Sequence, residues 1–251
     1  MYHANSMPDY RSALLPADAD LLGERGADAV AEILALREAS APTPLFALPA
    51  LAKRLGIGAL HVKDEGQRLG LGSFKALGGA YALMKLVQAE AARRFGRAVA
   101  AGELLSPEVR KVSAGMTFAC ATDGNHGRSV AQGAEFMGAQ AVIFVHSGVS
   151  EGRIAAIARF GARIVRVKGN YDDSVAEASR VAAEEGWTVL SDTSWPGYEE
   201  IPGLVMQGYT VMVREALAAM PQPPTHVFLQ AGVGGFAAAV AMRGVPFVQV
   251  P

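Results

Sequence analysis

Lys75 is the residue of this sequence whose type and position most directly suggest chemistry. It stands in residues 68–85, RLGLGSFKALGGAYALMK, where a glycine-spaced loop gives way to an apolar stretch. Residues 76–84 predict a buried helix, so the lysine falls at the helix start, where the macrodipole opposes a cation. Burial and the dipole both favour the neutral amine, which is a nucleophile that condenses with an aldehyde cofactor. A surface lysine that caps a loop is the alternative, and Lys75 alone does not decide between the two.

A second candidate is the loop in residues 121–132, ATDGNHGRSVAQ, between a predicted strand and a predicted helix. Asp, Gly and Asn all favour turns, so an ordinary strand-to-helix turn is one interpretation. The functional interpretation is a backbone loop that closes over a planar ligand. Asn125 would then donate to a ring oxygen, and Asp123 would be available as an acid or base. His126, taken by itself, indicates a structural residue.

The third candidate is residues 230–241, QAGVGGFAAAVA, again a predicted strand, a glycine loop and a helix. The loop residues are Gly232, Val233, Gly234 and Gly235. Bare backbone amides at a helix start are typical of a phosphate cradle. Dinucleotide folds use similar glycines, but no acidic residue follows at the distance that ribose binding requires before Pro251. The G-x-x-x-x-G-K-[ST] of nucleoside triphosphate sites is absent too, so a small phosphate ester fits best.

An activated lysine, an asparagine loop and a phosphate cradle, in that order, converge on pyridoxal 5′-phosphate as the cofactor. Lys75 would hold its aldehyde, and the loop at 232–235 its phosphate. No metal is expected, because the single cysteine, Cys120, excludes a multi-cysteine zinc site and an internal disulfide framework.

Composition and charge exclude other classes of function. The net charge is −1 with no basic run, which argues against nucleic-acid and anionic-membrane partners. The N-terminus, MYHANSMPDYRS, has no apolar core of the signal-peptide type, and no apolar run approaches the ~18 residues of a membrane span. We therefore expect a cytoplasmic protein whose partner is a small molecule.

The elements that must position these loops form an alternating pattern. The predicted strands are 59–64, 116–122, 141–146, 163–168, 187–192, 225–230 and 246–250, and the predicted helices 75–95, 126–137, 151–160, 172–185 and 203–220. Such alternation predicts an α/β fold with a mostly parallel sheet covered by helices on both faces, with ligands at the carboxyl ends of the strands. Residues 97–111 are more polar, which suggests an insertion on the surface.

Three stretches resemble the tryptophan synthase β-like (fold type II) family of pyridoxal-phosphate enzymes. They are SFKALGGAYALMK (73–85), ATDGNHGRSVA (121–131) and QAGVGGF (230–236); residues 149–178 are also similar to the family's small domain. The resemblance covers the chain from Pro42 onward. It implies two domains, a large cofactor-binding domain from residues 1–80 and 200–251 and a small domain from 81–199, and a homodimer.

Within the family, three details are similar to the diaminopropionate ammonia-lyases. Thr122-Asp123 precedes Gly-Asn-His, where dehydratases usually carry Ser-Ser or Thr-Ser, and residues 68–79 and 190–209 resemble the lyase segments. The resemblance implies α,β-elimination of 2,3-diaminopropionate to pyruvate and ammonia. Lys75 would bind the cofactor, Asp123 would act on the D-isomer, and Asp192, with Lys75, on the L-isomer. A serine or threonine dehydratase is the alternative enzyme.

The C-terminus departs from the family pattern. Relatives have a longer helix after the glycine loop and a strand that ends in an acidic residue before proline, whereas this sequence reads FVQVP and stops. We therefore expect a C-terminally truncated chain with an incomplete large domain, which lacks the group that faces the pyridine nitrogen. A non-catalytic remnant that binds the cofactor or a partner chain is the hypothesis that follows from this departure.

Overall fold

The structure, a computed structural model, describes residues 15–242 and the backbone of 247–250. The helices of this part are α1 (Pro16–Leu22), α2 (Glu24–Leu34), α3 (Pro49–Leu55), α4 (Lys75–Phe95), α5 (Pro107–Ser113), α6 (Asn125–Met137), α7 (Glu151–Ala158), α8 (Tyr171–Glu185), α9 (Glu200–Ala219) and α10 (Gly235–Ala241). The strands are β1 (Leu45–Ala47), β2 (His61–Lys63), β3 (Thr117–Ala121), β4 (Gln140–His146), β5 (Arg163–Val167), β6 (Thr188–Val189), β7 (Val227–Gln230) and β8 (Phe247–Val250).

A four-stranded sheet with the order β5-β4-β3-β6 and parallel pairing throughout lies at the centre of the described fold. Side chains of successive residues point to opposite faces of a strand. Phe118 and Cys120 of β3 accordingly join the main core, whereas Ala119 packs with Ala178 and Ala182 of α8 in a smaller core. The parallel sheet covered by helices on both faces, predicted from the alternation of elements, is confirmed. Two small sheets accompany it: β1 and β2 pair antiparallel, and β7 and β8 pair parallel.

Small residues allow α4 to pack closely against α6 and α9. A Cβ added at Gly208 of α9 would lie 2.9 Å from the Gly78 Cα and 2.9 Å from the Leu77 carbonyl oxygen of α4. A Cβ at Gly133 of α6 would lie 2.9 Å from the Ala80 Cα. Close packing of this kind leaves residues 76–84 buried, as the sequence predicts. It also holds the start of α4, and with it Lys75, in a defined place.

Most predicted elements are observed within a few residues of their predicted bounds. Helix α4 has the predicted bounds, whereas β6 is two residues long in place of the predicted strand 187–192. The elements α1, α2, α3 and β1 were not predicted, and residues 243–246 lie outside the described residues.

The prediction of a surface insertion at 97–111 is wrong. Its apolar residues Val99, Leu104 and Val109 are buried in the main core, and α5 packs on α4. The average polarity of the segment did not reveal these three buried residues, because a half-buried segment needs only about one apolar side chain per turn. The division into domains at residues 80 and 200 stays a prediction; its first boundary falls inside α4.

None of the helices in the described part of the chain combines the length and apolar character that crossing a membrane requires.

Gly208→Ala should destabilise the protein by ~1–3 kcal/mol, the usual cost of overpacking, because the added methyl meets backbone atoms of α4. Urea unfolding followed by circular dichroism measures the change. The matched control is Gly152→Ala in α7, where the added Cβ meets nothing within 4 Å. There we expect no loss, and a gain of up to about 1 kcal/mol from helix propensity. Equal effects at the two positions would contradict the close packing of α4 and α9.

Candidate active site

A single cavity of about 590 Å³ brings together residues from all three candidate loops. Lys75, Asp123, Asn125, Asp192 and Val233 line it. They come from the start of α4, the loop after β3, the segment after β6 and the loop after β7. In parallel sheets, binding residues gather beyond the carboxyl ends of the strands, and the central sheet follows that rule here.

The loop that precedes Lys75 is held by a buried polar network. The Arg68 side chain is fully buried; its Nε donates to Glu65 Oε2 at 2.7 Å and its Nη2 to Glu215 Oε2 at 2.6 Å. Burial works against the charge of Arg68, but the two carboxylates outweigh it and its pKa is raised. Lys63 Nζ adds a third bond, to Glu215 Oε2 at 2.7 Å. The network ties β2 and the glycine-spaced loop to α9, which fixes the approach to Lys75.

Lys75 is paired with Asp192. Its Nζ donates to Asp192 Oδ2 at 2.6 Å, and the two side chains are 31% and 9% exposed. A cation at a helix start is opposed by the macrodipole, and a carboxylate at this distance offsets that repulsion. The expectation of a neutral amine favoured by burial and the dipole did not include this partner, which comes from a segment more than a hundred residues along the chain.

Asp192 is held in place by its backbone neighbours. The Tyr198 hydroxyl donates to the Val189 carbonyl at 2.8 Å and accepts from the Ser191 amide at 3.0 Å. These two hydrogen bonds hold the backbone at the end of β6 and at the residue before Asp192. Burial raises the pKa of Asp192, but the charges of His126 and Lys75 and the Lys75 hydrogen bond outweigh it, so the pKa lies below its ordinary value.

His126 contacts the same carboxylate, although the sequence indicated a structural role. Its Nε2 lies 3.0 Å from the Leu190 carbonyl oxygen; a carbonyl only accepts, so Nε2 carries a proton. Its Nδ1 lies 4.0 Å from Asp192 Oδ2 and has no hydrogen-bond partner in the part of the chain that the structure describes. The sequence signal for this contact with Asp192 was the position of His126 next to Asn125, in a loop already selected as a candidate.

The asparagine loop is pinned by a threonine. Thr122 Oγ1 accepts from the amides of Gly124 at 3.0 Å and Gly127 at 3.1 Å. Gly124 has a φ of 153°, and a Cβ at Gly127 would lie 2.3 Å from Thr122 Cγ2, so both positions require glycine. The bends place Asp123 at the cavity rim with its side chain 58% exposed. Asn125 begins α6 and faces the cavity.

The glycine loop reaches the cavity through Val233. Gly234 has a φ of 86°, a conformation that favours glycine, and Gly235 begins α10, a helix of seven residues. Gly232 and Gly234 flank Val233; both are exposed, and a Cβ added at either would meet nothing within 4 Å. The structure therefore brings the predicted phosphate loop to the same cavity as Lys75.

Three lining residues with charged or hydroxyl side chains were missed from the sequence: Arg128, Arg153 and Tyr171. Burial, and then the Asp192 carboxylate, raises the pKa of Tyr171 to about 12. Burial lowers the pKa of Arg128, and its Nε has no hydrogen-bond partner among the described residues. No motif marks Arg153 or Tyr171; only their places at the starts of α7 and α8, beyond the carboxyl edge of the sheet, could have indicated them.

Comparison with known protein families identifies the family to which a chain with this cavity belongs. A family described as pyridoxal-phosphate dependent enzyme matches residues 36–243. The chain belongs to this family. Its cofactor is pyridoxal 5′-phosphate, as the lysine and the two loops predict.

Individual relatives point to one branch of the family. The chain is 45% identical over 204 residues to diaminopropionate ammonia-lyase of Salmonella typhimurium, a match covering 80% of this chain and 50% of the relative. The apo crystal structure of Escherichia coli diaminopropionate ammonia lyase superimposes with a TM-score of 0.82 and 39% identity, covering 93% of this chain and 62% of that one. The same enzyme in complex with an aminoacrylate-PLP azomethine reaction intermediate gives a TM-score of 0.81 and 38% identity, covering 93% and 57%. The chain thus spans about half the length of the curated relatives it matches.

The cavity fits the family's cofactor on chemical grounds. It offers a primary amine for an aldehyde, an exposed glycine loop at a helix start for a phosphate, and an amide side chain for a ring oxygen. A volume of about 590 Å³ lies within the usual range of small-molecule sites and leaves room for a small amino acid beside the cofactor.

Asp192→Asn should lower the free energy of unfolding most at neutral pH. Because the pKa of Asp192 is lowered in the folded state, its ionisation stabilises the fold above the ordinary value of 3.8, and that contribution is lost as the pH falls through the lowered pKa. The difference between wild type and variant should therefore be constant from about pH 7 to about pH 5 and shrink below that.

Urea unfolding at a series of pH values measures this difference. Asp18→Asn, which removes an exposed carboxylate of α1, controls for the general loss of a negative charge. A gap between wild type and Asp192→Asn that stayed constant down to about pH 3 would count against the Lys75–Asp192 pair.

Proposed function

We propose that this chain carries the active site of an ammonia-lyase that converts 2,3-diaminopropionate to pyruvate and ammonia by α,β-elimination. The observation that carries the proposal is the placement of Lys75, Asp123 and Asp192 on one cavity that the glycine loop also reaches. The similarity to diaminopropionate ammonia-lyases over 80% of the chain supports the choice of substrate.

Three groups would hold the cofactor. Lys75 would bind its aldehyde, the backbone amides of residues 232–235 would hold its phosphate, and the Asn125 side chain would donate to its ring oxygen. When bound, the cofactor supplies an electron sink for the charge left on the α-carbon after proton removal. Asp192, 2.6 Å from the Lys75 Nζ, would orient that amine toward the cavity and exchange a proton with it.

The two carboxylates serve the acid–base steps. Asp123 takes the α-proton of the D-isomer, and Asp192, with Lys75, that of the L-isomer. The β-amine leaves as ammonia only when it is protonated, so a carboxylic acid beside it assists departure. Carboxylates also attract a substrate that carries two ammonium groups, and a hydroxyl in the same place would not.

The surroundings of the site suggest how the protein acts as a whole. Exposed apolar side chains on β1, α3 and β2 support a homodimer; they are Phe46, Leu55 and Val62. Analytical ultracentrifugation measures the oligomeric state, and a monomer would reject the homodimer. The only cysteine, Cys120, is free and buried, in agreement with a cytoplasmic location.

The purified chain with pyridoxal 5′-phosphate should show the long-wavelength absorption of a lysine-bound cofactor. Lys75→Ala should lose both the band and activity, because no other lysine of the described residues lines the cavity. Lys85→Ala, a lysine two to three turns further along α4, is the matched control and should keep both. Pyruvate formation from the D- and L-isomers is measured beside that from L-serine, with 2-ketobutyrate from L-threonine.

Turnover of diaminopropionate at ~1–10³ s⁻¹ is the expected result. Preference for threonine or serine would replace the proposal with a dehydratase. Binding of the cofactor without any turnover would leave the non-catalytic remnant.

Asp123→Asn should lower kcat for the D-isomer by ~10²-fold or more, the usual contribution of a general base, and change the L-isomer far less. Asp192→Asn should affect the L-isomer at least as strongly, because it removes both the base and the partner of Lys75. Steady-state kinetics on the pure isomers decide the matter. Asp172→Asn, which changes an exposed carboxylate in the first turn of α8, is the control. Equal losses on both isomers in Asp123→Asn would reject the division of roles.

A further inference from the structure

His146 contacts a proposed catalytic group although it belongs to none of the three candidate loops. In the sheet, Ala121 of β3 is paired with Phe144 of β4. Asp123 and His146 each lie two residues further on, so they meet at the carboxyl edge of the sheet. The His146 Nε2 lies 2.9 Å from Asp123 Oδ1.

The backbone fixes which ring nitrogen of His146 carries the proton. The Gly148 amide donates to Nδ1 at 3.1 Å, so Nδ1 is the acceptor of the neutral ring. The proton of the neutral ring then lies on Nε2, which donates to Asp123. Asp123 and Gly148 together hold the ring between an acceptor and a donor.

The Asp123 carboxylate is hydrogen-bonded by His146. The Asp123 side chain is 58% exposed, whereas that of His146 is 22% exposed. A charged side chain, that of Arg153, also reaches this residue, but it donates at 3.5 Å to the Asp123 backbone carbonyl rather than to the carboxylate. Tyr171 lies near enough for the Asp123 charge to raise its pKa, after larger effects of burial, Asp192 and Cys120. Among the described residues, the hydrogen bond to the carboxylate itself comes from His146.

We propose that His146 is a positioning residue for Asp123, holding Oδ1 through its Nε2–H so that the other carboxylate oxygen faces the cavity. An exposed carboxylate without such a partner samples several rotamers, and each misplaced rotamer removes the base from reach of the substrate. The effect on turnover rests on the proposed function, in which Asp123 serves the D-isomer. The L-isomer, handled by Asp192 and Lys75, does not depend on His146.

The contact itself is tested by ¹⁵N NMR of the histidine rings on the purified chain, at a pH well above the ordinary histidine range. His146→Gln identifies the signals. We expect the Nε2–H tautomer for His146, and a change of its ring shifts in Asp123→Ala. The Nδ1–H tautomer, or a ring indifferent to Asp123→Ala, would overturn the proposal, whatever the chain catalyses.

The consequence for turnover is tested with two variants of different hydrogen-bonding capacity. His146→Leu removes the donor, whereas the side-chain amide of His146→Gln can donate from a similar position. In His146→Leu, kcat for the D-isomer should fall about five-fold while that for the L-isomer falls less than about two-fold, the effect of one lost hydrogen bond. His146→Gln should restore the ratio of the two rates to near its wild-type value. The control is His226→Leu, which precedes β7 and so lies at the end of that strand away from the glycine loop. It should leave the ratio of the D- and L-isomer rates unchanged.

The ratio of the two isomers separates positioning from damage. A folding or cofactor defect lowers both rates together, and such a result would overturn the proposal, as would an unchanged ratio in His146→Leu. If the wild-type chain turns over neither isomer, the proposed function falls, and the ring signals alone decide whether His146 holds Asp123.

Discussion

The ion pair between Lys75 and Asp192 is the interaction on which the arrangement of the site depends. A lysine at the start of a buried helix is opposed by the helix dipole, and a largely buried carboxylate is opposed by desolvation. At 2.6 Å each offsets the cost of the other. The pair therefore joins the first residue of α4 to the segment after β6, and the cavity forms where these two segments meet.

Two supporting structures keep that pair in register. Behind Lys75, the buried Arg68 with its two carboxylates fixes the glycine-spaced loop against α9. Behind Asp192, the Tyr198 hydroxyl hydrogen-bonds to the backbone of Val189 and of Ser191. Both devices use buried polar groups whose partners are satisfied, and such groups specify one arrangement because any other leaves them unpaired.

The outer side of the cavity is built differently. Asp123 lies at an exposed rim on a loop that Thr122 and two glycines bend sharply, and its orientation comes from His146 across the sheet edge. Opposite charges line the space between the walls, with guanidinium groups on α6 and α7 and carboxylates after β3 and β6. A cavity with both signs of charge complements an amino acid, which carries an ammonium and a carboxylate. The buried wall thus carries the Lys75–Asp192 pair, and the exposed rim carries Asp123.

Local sequence determined much of the fold and the inventory of the site. Helix periodicity gave α4 its bounds, because a long apolar pattern leaves little choice, and glycine spacing marked all three loops, since only glycine adopts their backbone angles readily. Short or locally polar elements such as β6 and α5 were misjudged, because their burial is decided by neighbours distant in the chain.

The side-chain pairings in the site could also not be predicted from local sequence patterns. Asp192 meets Lys75 although the two lie far apart in the chain, and His146 meets Asp123 because the parallel strands β3 and β4 bring their carboxyl ends to one edge of the sheet. Residue types and spacing determined which chemistry this chain holds, and the tertiary structure decided which groups share a proton, because a hydrogen bond depends on distances in space that no local pattern encodes.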